Sequence, residues 1–202
     1  NKANGVEQLK FSDGSIYKIA DLREEFATTR GSASSEKLYA YDEEVGNTVY
    51  ASSGDDYIYG SKNADKLYGE EGSDYILARA GDDIIYGGVG NDTIYGEEGD
   101  DIIEGGAGDD YLYGGVGNDT YIFGRGDGVD TISDYGNNEN DNKDTILFKE
   151  GITKEDLIIR RIGREEAEIR IKDTNDKIVL RSLFNKANGV EQLKFSDGSI
   201  YK

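Results

Sequence analysis

Five residue types are missing from this chain: cysteine, histidine, proline, methionine and tryptophan. Without cysteine there is no disulfide framework and no thiolate chemistry. Without histidine the commonest zinc ligand and the commonest general base are gone. The missing methionine reads as a fragment or a processed chain. No apolar run approaches the roughly 20 residues of a membrane span, and no signal-peptide pattern opens the chain. Basic residues are scarce as well: 23 Lys and Arg stand against 42 Asp and Glu, a net charge of −19. Nucleic acid and anionic membranes are therefore poor partners. Only 36% of the residues are apolar, and with this charge the composition lies toward disorder. Fifteen tyrosines and many isoleucines argue the other way. Either the chain is unfolded or something neutralises the acid.

What is present is a ruler. Eight consecutive nine-residue blocks span positions 51–122, and the sixth position of each is aspartate: Asp56, Asp65, Asp74, Asp83, Asp92, Asp101, Asp110 and Asp119. Two positions later stands Ile58, Leu67, Ile76, Ile85, Ile94, Ile103, Leu112 or Tyr121. Positions one to six are rich in Gly, Asp, Asn and Ser, and positions seven to nine are β-branched or aromatic. That pattern is a turn followed by a very short strand. Glycines at positions one, two and four suit positive φ, and Asn63 at a fourth position is the next best residue there. Alternation within the strand points the Ile/Leu column inward. It points Tyr57, Tyr59, Tyr68, Tyr75, Tyr86, Tyr95, Tyr111 and Tyr113 outward.

If two blocks make one coil, strands alternate between two parallel sheets. Asp56, Asp74, Asp92 and Asp110 then stack on one edge, and Asp65, Asp83, Asp101 and Asp119 on the other. Neighbours in a stack lie about 5 Å apart, a distance at which bare carboxylates repel. Calcium resolves this, because it is hard and takes roughly six to eight oxygen ligands, carboxylates and carbonyls together. Three gaps per edge give about six interior Ca²⁺, with further ions at the ends left open. One thin apolar column per sheet is a small core, so metal binding should be part of folding.

A second repeat frames the first. Residues 1–18 read NKANGVEQLKFSDGSIYK, and residues 185–202 are identical. The chain thus reads as one unit of a tandem array, or as a duplication made to carry both natural boundaries. Residues 1–18 are assigned to the preceding unit. Positions 19–50 are assigned to a short helix (Ile19–Thr29, with Leu22 and Phe26 on one face) and two degenerate capping turns. Those turns carry Glu36 and Asn47 where aspartate belongs. Positions 51–123 form the repeat region and 124–202 a C-terminal capping module. Strands are expected near Leu157–Arg160, Glu168–Ile171 and Lys177–Leu180. A hairpin is expected around Ser196–Ser199. The C-terminal 18-mer should dock on its own unit and the N-terminal copy should lie near the start of the roll.

The blocks from Ala51 to Ile122, such as Gly87-Gly88-Val89-Gly90-Asn91-Asp92-Thr93-Ile94-Tyr95, resemble the repeats-in-toxin (RTX) family, whose nonapeptide is Gly-Gly-x-Gly-x-Asp-x-apolar-x. The stretch Gly126-Asp127-Gly128-Val129-Asp130-Thr131-Ile132 is similar to the family's exit from the repeats. The tail is similar to the haemolysin-type calcium-binding related module. The resemblance implies an all-β fold: a parallel β-roll holding Ca²⁺, with a strand-rich C-terminal cap. It implies type I secretion, with folding outside the cell. It also implies that the eight sixth-position aspartates are ligands. Ligand carbonyls would come from Gly72, Gly81, Gly88, Gly90, Gly99, Gly106, Gly108, Gly115 and Gly117. Asp127 and Asp130 are candidates for a further exit ion. Ser61, Glu70, Arg79 and Glu97 break the pattern at the second position, and Arg79 marks the turn expected to be weakest.

Other motifs have plainer readings. Arg125-Gly126-Asp127 is explained by the exit motif without adhesion. Asn91-Asp92-Thr93 and Asn118-Asp119-Thr120 are formal sequons inside calcium turns. The acidic run from Glu139 to Asp144 reads as a solvated loop, with an ion site as the alternative. No catalytic constellation is visible, so no enzyme is expected. Three roles remain: a calcium-folded spacer or adhesin or toxin unit of a large secreted protein; a module binding a glycan or host receptor through its tyrosine rows; and a non-catalytic part of a secreted toxin or hydrolase.

Overall fold

A computed structural model describes residues 8–10, 16–18, 27–41, 46–134, 143–181 and 189–201. All regular elements among them are strands, apart from one 3-10 turn at Lys154–Asp156. The N-terminal copy contributes β1 (Gln8–Lys10) and β2 (Ile16–Lys18). The roll begins with four three-residue strands: β3 (Thr28–Arg30), β4 (Lys37–Tyr39), β5 (Thr48–Tyr50) and β6 (Tyr57–Tyr59). It continues with six of six residues: β7 (Lys66–Glu71), β8 (Tyr75–Ala80), β9 (Ile84–Val89), β10 (Thr93–Glu98), β11 (Ile102–Ala107) and β12 (Tyr111–Val116). The remainder are β13 (Thr120–Phe123), β14 (Val129–Ser133), β15 (Thr145–Phe148), β16 (Leu157–Arg161), β17 (Ala167–Ile171), β18 (Lys177–Arg181), β19 (Gln192–Phe195) and β20 (Ile200–Tyr201).

Even strands β4 to β14 line up in one sheet and odd strands β3 to β15 in the other. Each pairs in parallel with the strand one coil on, as Tyr75↔Thr93↔Tyr111 and Ile84↔Ile102↔Thr120. Two nonapeptides therefore make one coil, as the spacing requires. The strands of the central coils are longer than the three residues expected from composition. They run on through positions one to three of the next block, because each Gly-rich segment pairs with its equivalent one coil away, as Gly88 does with Gly106. The bend is left to positions four to six.

The Ile/Leu column fills the space between the sheets, with Ile58, Leu67, Ile76, Ile85, Ile94, Ile103, Leu112 and Tyr121 all 0–1% exposed. The outward tyrosines cover the faces by stacking on one another. Tyr50, Tyr68 and Tyr86 form a nearly parallel pile with centroids 4.8 and 5.1 Å apart.

The region ahead of the repeats departs from the expectation of a helix. Thr28–Arg30 is a strand, paired in parallel with Thr48–Tyr50, so the roll already takes up Thr28 and Thr29. The rest of that helix, residues 19–26, lies outside the described residues. The degenerate blocks join the same stack, with Lys37 opposite Tyr57 and Thr48 opposite Lys66. At the other end the expected strands and hairpin form. β18 adds in parallel to β14, and β17 and β16 follow antiparallel. β19 adds in parallel to β15, with β20 antiparallel to it. The C-terminal 18-mer thus docks on its own unit. The N-terminal copy forms the same hairpin in the same register: Leu9↔Tyr17 and Lys10↔Ile16 match Leu193↔Tyr201 and Lys194↔Ile200. It stands as a two-stranded sheet outside the two large ones.

Candidate calcium sites

The eight repeat aspartates are at most 2% exposed. Their placement has a local cause. From Asp74 onward the sixth-position side chain reaches back one coil, and its Oδ1 accepts the backbone N–H of the aspartate 18 residues earlier; Asp56 and Asp65 accept those of Glu36 and Asn47 in the same way. On one edge Asp56 donates to Asp74, Asp74 to Asp92 and Asp92 to Asp110, at 2.7–2.8 Å. On the other Asp65 donates to Asp83, Asp83 to Asp101 and Asp101 to Asp119, at 2.6–2.9 Å. The ladders run past the repeats: Asp110 donates to Asp130 and Asp119 to Asp144. The fifth position runs a second ladder in the opposite sense, as in Asp109 N–H to Asn91 Oδ1 (2.9 Å) and Asn118 N–H to Asp100 Oδ1 (2.8 Å). This explains a polar fifth position that the consensus leaves open.

One oxygen per aspartate is spoken for, and the other is not. Oδ2 of Asp56, Asp74, Asp83, Asp92, Asp101, Asp110, Asp119 and Asp130 is buried with no hydrogen-bond partner. A buried, unpaired carboxylate oxygen is costly, and here the same atom is orphaned coil after coil. In five of them, Asp74, Asp92, Asp101, Asp110 and Asp119, it points at the first-position glycine of its own turn. A Cβ on Gly87 would lie 2.3 Å from Oδ2 of Asp92 and 2.4 Å from the Gly105 carbonyl; one on Gly96 would lie 2.1 Å from Oδ2 of Asp101 and 2.7 Å from the Gly114 carbonyl. A side chain would fill these hollows, and they are lined by oxygen. A hard divalent cation fits such a donor set.

Charge points the same way. Burial, the largest cause in each case, pushes Asp74 and Asp110 up to about 6, Asp92 and Asp101 to about 7, and Asp83, Asp119 and Asp130 to about 8. Backbone hydrogen bonds offset part of this, and neighbouring carboxylates add to it. A cation in the hollow would reverse the balance in favour of the ionised form.

The glycines expected to offer carbonyls, Gly72, Gly81, Gly88, Gly90, Gly99, Gly106, Gly108, Gly115 and Gly117, all have positive φ, from 103° to 154°. The carbonyls that converge with the orphaned oxygens include those of Gly87, Gly105 and Gly114, at the first position of the nonapeptide rather than the second or fourth. Glu70, Arg79 and Glu97 adopt the left-handed conformation at the second position, with φ of 73–82°, so these breaks in the pattern keep the turn.

The weak point falls elsewhere than expected. Both oxygens of Asp65 are taken within the protein. Ser61 N–H donates to Oδ2 at 2.6 Å, and Asn47 N–H and Nδ2 donate to Oδ1 at 2.6 and 3.0 Å. Ser61 and Asn63 have no positive φ, so this turn has another shape, and Asn63 does not play the left-handed role expected of it. Arg79 leaves its own Asp83 orphaned and instead donates to the Gly60 carbonyl one coil earlier (2.9 Å). The exit pair also divides. Asp130 continues the ladder with an orphaned Oδ2, whereas Asp127 is held by Gly124 N–H at 2.7 Å and Lys149 Nζ at 2.9 Å. Asp127 is an ion pair rather than an open ligand. Asp134, which no repeat pattern marks, and Asp144, the last residue of the acidic run, meet Asp119 past the last nonapeptide. The nine-residue period is lost by then, so no register could place them.

Comparison with known proteins bears on this arrangement. The RTX calcium-binding nonapeptide repeat (4 copies) matches residues 45–76, 68–103 and 95–130. The haemolysin-type calcium binding protein related domain matches residues 168–202. No curated protein matches the chain. Among solved structures, the extracellular lipase LipA from Serratia marcescens is similar at 17% identity, with a TM-score of 0.31, over 73% of this chain. The chain spans 39% of the length of that lipase. With its nonapeptides, its coils and its related tail domain, the chain belongs to the RTX haemolysin-type calcium-binding repeat proteins.

Proposed function

We propose that this chain is a module whose folding is driven by calcium, one unit of a tandem array in a larger exported protein. The observation that carries the reading is the row of orphaned, buried carboxylate oxygens at one-coil spacing. Calcium would be held by Oδ2 of Asp56, Asp74, Asp83, Asp92 and Asp101, each with carbonyls of the Gly-rich turns. Of the six interior gaps, the one between Asp65 and Asp83 is closed by Ser61, Asn47 and Arg79, which leaves five. Asp110, Asp119 and Asp130 face the ends of the roll. Low cytosolic calcium would keep the chain loose for type I secretion, and external calcium would lock it. The module then serves as a rigid non-catalytic spacer in an adhesin or toxin.

The tyrosine rows fit this structural role better than glycan binding, because many ring faces are already stacked on each other. Tyr39 covers Tyr59 at 5.0 Å, and Arg30 covers Tyr50 at 4.6 Å. The test is a calcium titration followed by far-UV circular dichroism. A change from a disordered to a β spectrum is expected, and no change at millimolar calcium sinks the proposal.

A further inference from the structure

Asp119 is the last repeat aspartate on its edge, and no Gly-rich nonapeptide follows it. Its Oδ2 is orphaned like the others, yet its surroundings differ. An oxygen from each of Asp119, Asp134 and Asp144 lies within 4.8 Å of the others, and the three residues are 0–1% exposed. The eighth position, Ile or Leu in the seven preceding blocks, is here Tyr121, which brings a hydroxyl into an apolar column. A buried tyrosine needs a partner for that hydroxyl. It donates to Asp134 Oδ2 at 2.7 Å and accepts Gly114 N–H at 2.7 Å. A Cβ on Gly114 would lie 2.2 Å from Asp119 Oδ2 and 2.5 Å from the Tyr121 hydroxyl. The orphaned oxygen and the hydroxyl therefore share one hollow. The other oxygens are braced from behind: Asp134 Oδ1 by Gly115 N–H at 3.3 Å, and Asp144 Oδ1 by Asp119 N–H at 2.9 Å.

We propose that Asp119, Asp134 and Asp144, with the Tyr121 hydroxyl, form a separate three-carboxylate calcium site that closes this edge of the roll. It rests on the reading that the turns hold calcium. An interior gap offers carboxylates from two turns and backbone carbonyls. This one offers three carboxylates and a neutral phenol, all oxygen, which selects a hard cation over zinc or copper. Three carboxylates this close, with so little solvent, repel unless a cation or shared protons lie between them. The site also ties the tail to the roll. Asp144 N–H donates to Glu191 Oε2 at 2.8 Å, and the Asp144 carbonyl accepts Glu191 and Gln192 N–H at 3.0 and 3.1 Å, where β19 begins.

The alternative is a trio of carboxyls sharing protons. Asp134→Asn separates the two, since an amide imitates a protonated carboxyl but is a weaker calcium ligand. Bound calcium is counted by native mass spectrometry on the full chain, wild type and variant, in saturating calcium. One ion fewer in the variant, with the calcium-induced β spectrum retained, is expected. Equal counts overturn the proposal and leave the turns' calcium untouched. Should the variant fail to fold, wild-type crystals grown in calcium decide by anomalous scattering. A peak between the three carboxylates supports the site, and peaks confined to the Gly-rich turns overturn it. A wild-type chain that takes up no calcium at all removes the broader reading along with this one.

Discussion

Asp92 and Glu168 are both buried carboxylates, and their surroundings differ in kind. Glu168, in the tail, is ringed by Arg160 at 2.9 Å, Lys177 at 3.4 Å and Arg170 at 3.5 Å. Burial would raise its pKa, but the hydrogen bond from Lys177 and the three positive charges outweigh it, and Glu168 stays below the usual range. Asp92, in the roll, has one oxygen on a backbone N–H, the other on nothing, and is pushed up to about 7. The tail carries its counter-charges in the sequence, and the roll leaves them to be supplied. An acidic domain can thus neutralise the buried charge of one part from within and leave that of another part open.

The largest test of that contrast is chelation. The tail's own ion pairs should not save it, because β18 and β19 are built on β14 and β15 of the roll. Hydrogen exchange after calcium removal should lose protection in β16 to β20 together with the repeats. A tail that stays protected would make the two regions independent. Next in size, Asp83→Asn should raise the calcium midpoint of folding roughly tenfold, by removing a charged ligand. Asp65→Asn should leave the midpoint within about twofold, because Asp65 faces only protein donors. Calcium titrations of the two variants check this, and equal shifts would deny that Ser61 and Asn47 fill that gap.

Acid should move the two regions in opposite directions. The roll's aspartates have folded pKa values above the unfolded value of about 3.9. Without calcium their contribution to stability is greatest below pH about 4 and is lost as the pH rises through about 6 to 8. Lowering the pH of calcium-free protein from 8 should therefore increase its β content, read by circular dichroism. Glu168 is lowered, so its contribution is present above the unfolded value and lost as the pH falls through the folded one. Glu168→Gln in calcium should cost about 2 kcal/mol by denaturant titration. It stays modest because Arg160 and Arg170 remain partly in solvent.

The coil, its two sheets and its core column were legible because the period of nine imposes one register on every block. The aspartates were legible for the same reason. What escaped the sequence depended on contacts between coils. Whether Asp65 is open hinges on Ser61 and on Asn47, 18 residues earlier. Arg79 looked like a defect of its own turn, yet its guanidinium is long enough to serve the coil before it. Asp134 and Asp144 lie past the last nonapeptide, where spacing no longer tells which oxygens meet. Thr28 and Thr29, assigned to a helix from local periodicity, were recruited as a strand by the open edge of β5.

Among the described residues, the last strands leave the two sheets with unlike edges. A parallel roll of near-identical coils has no intrinsic stop, since any exposed coil can template another, including one from a second molecule. Here one sheet ends on β16, which after two reversals again runs with the roll, and the other ends on β20, which runs against it. An incoming coil has a fixed polarity between its two strands, so it can match one edge or the other but not both. A further coil therefore meets one parallel and one antiparallel edge, which denies it the paired register that every coil inside the roll enjoys.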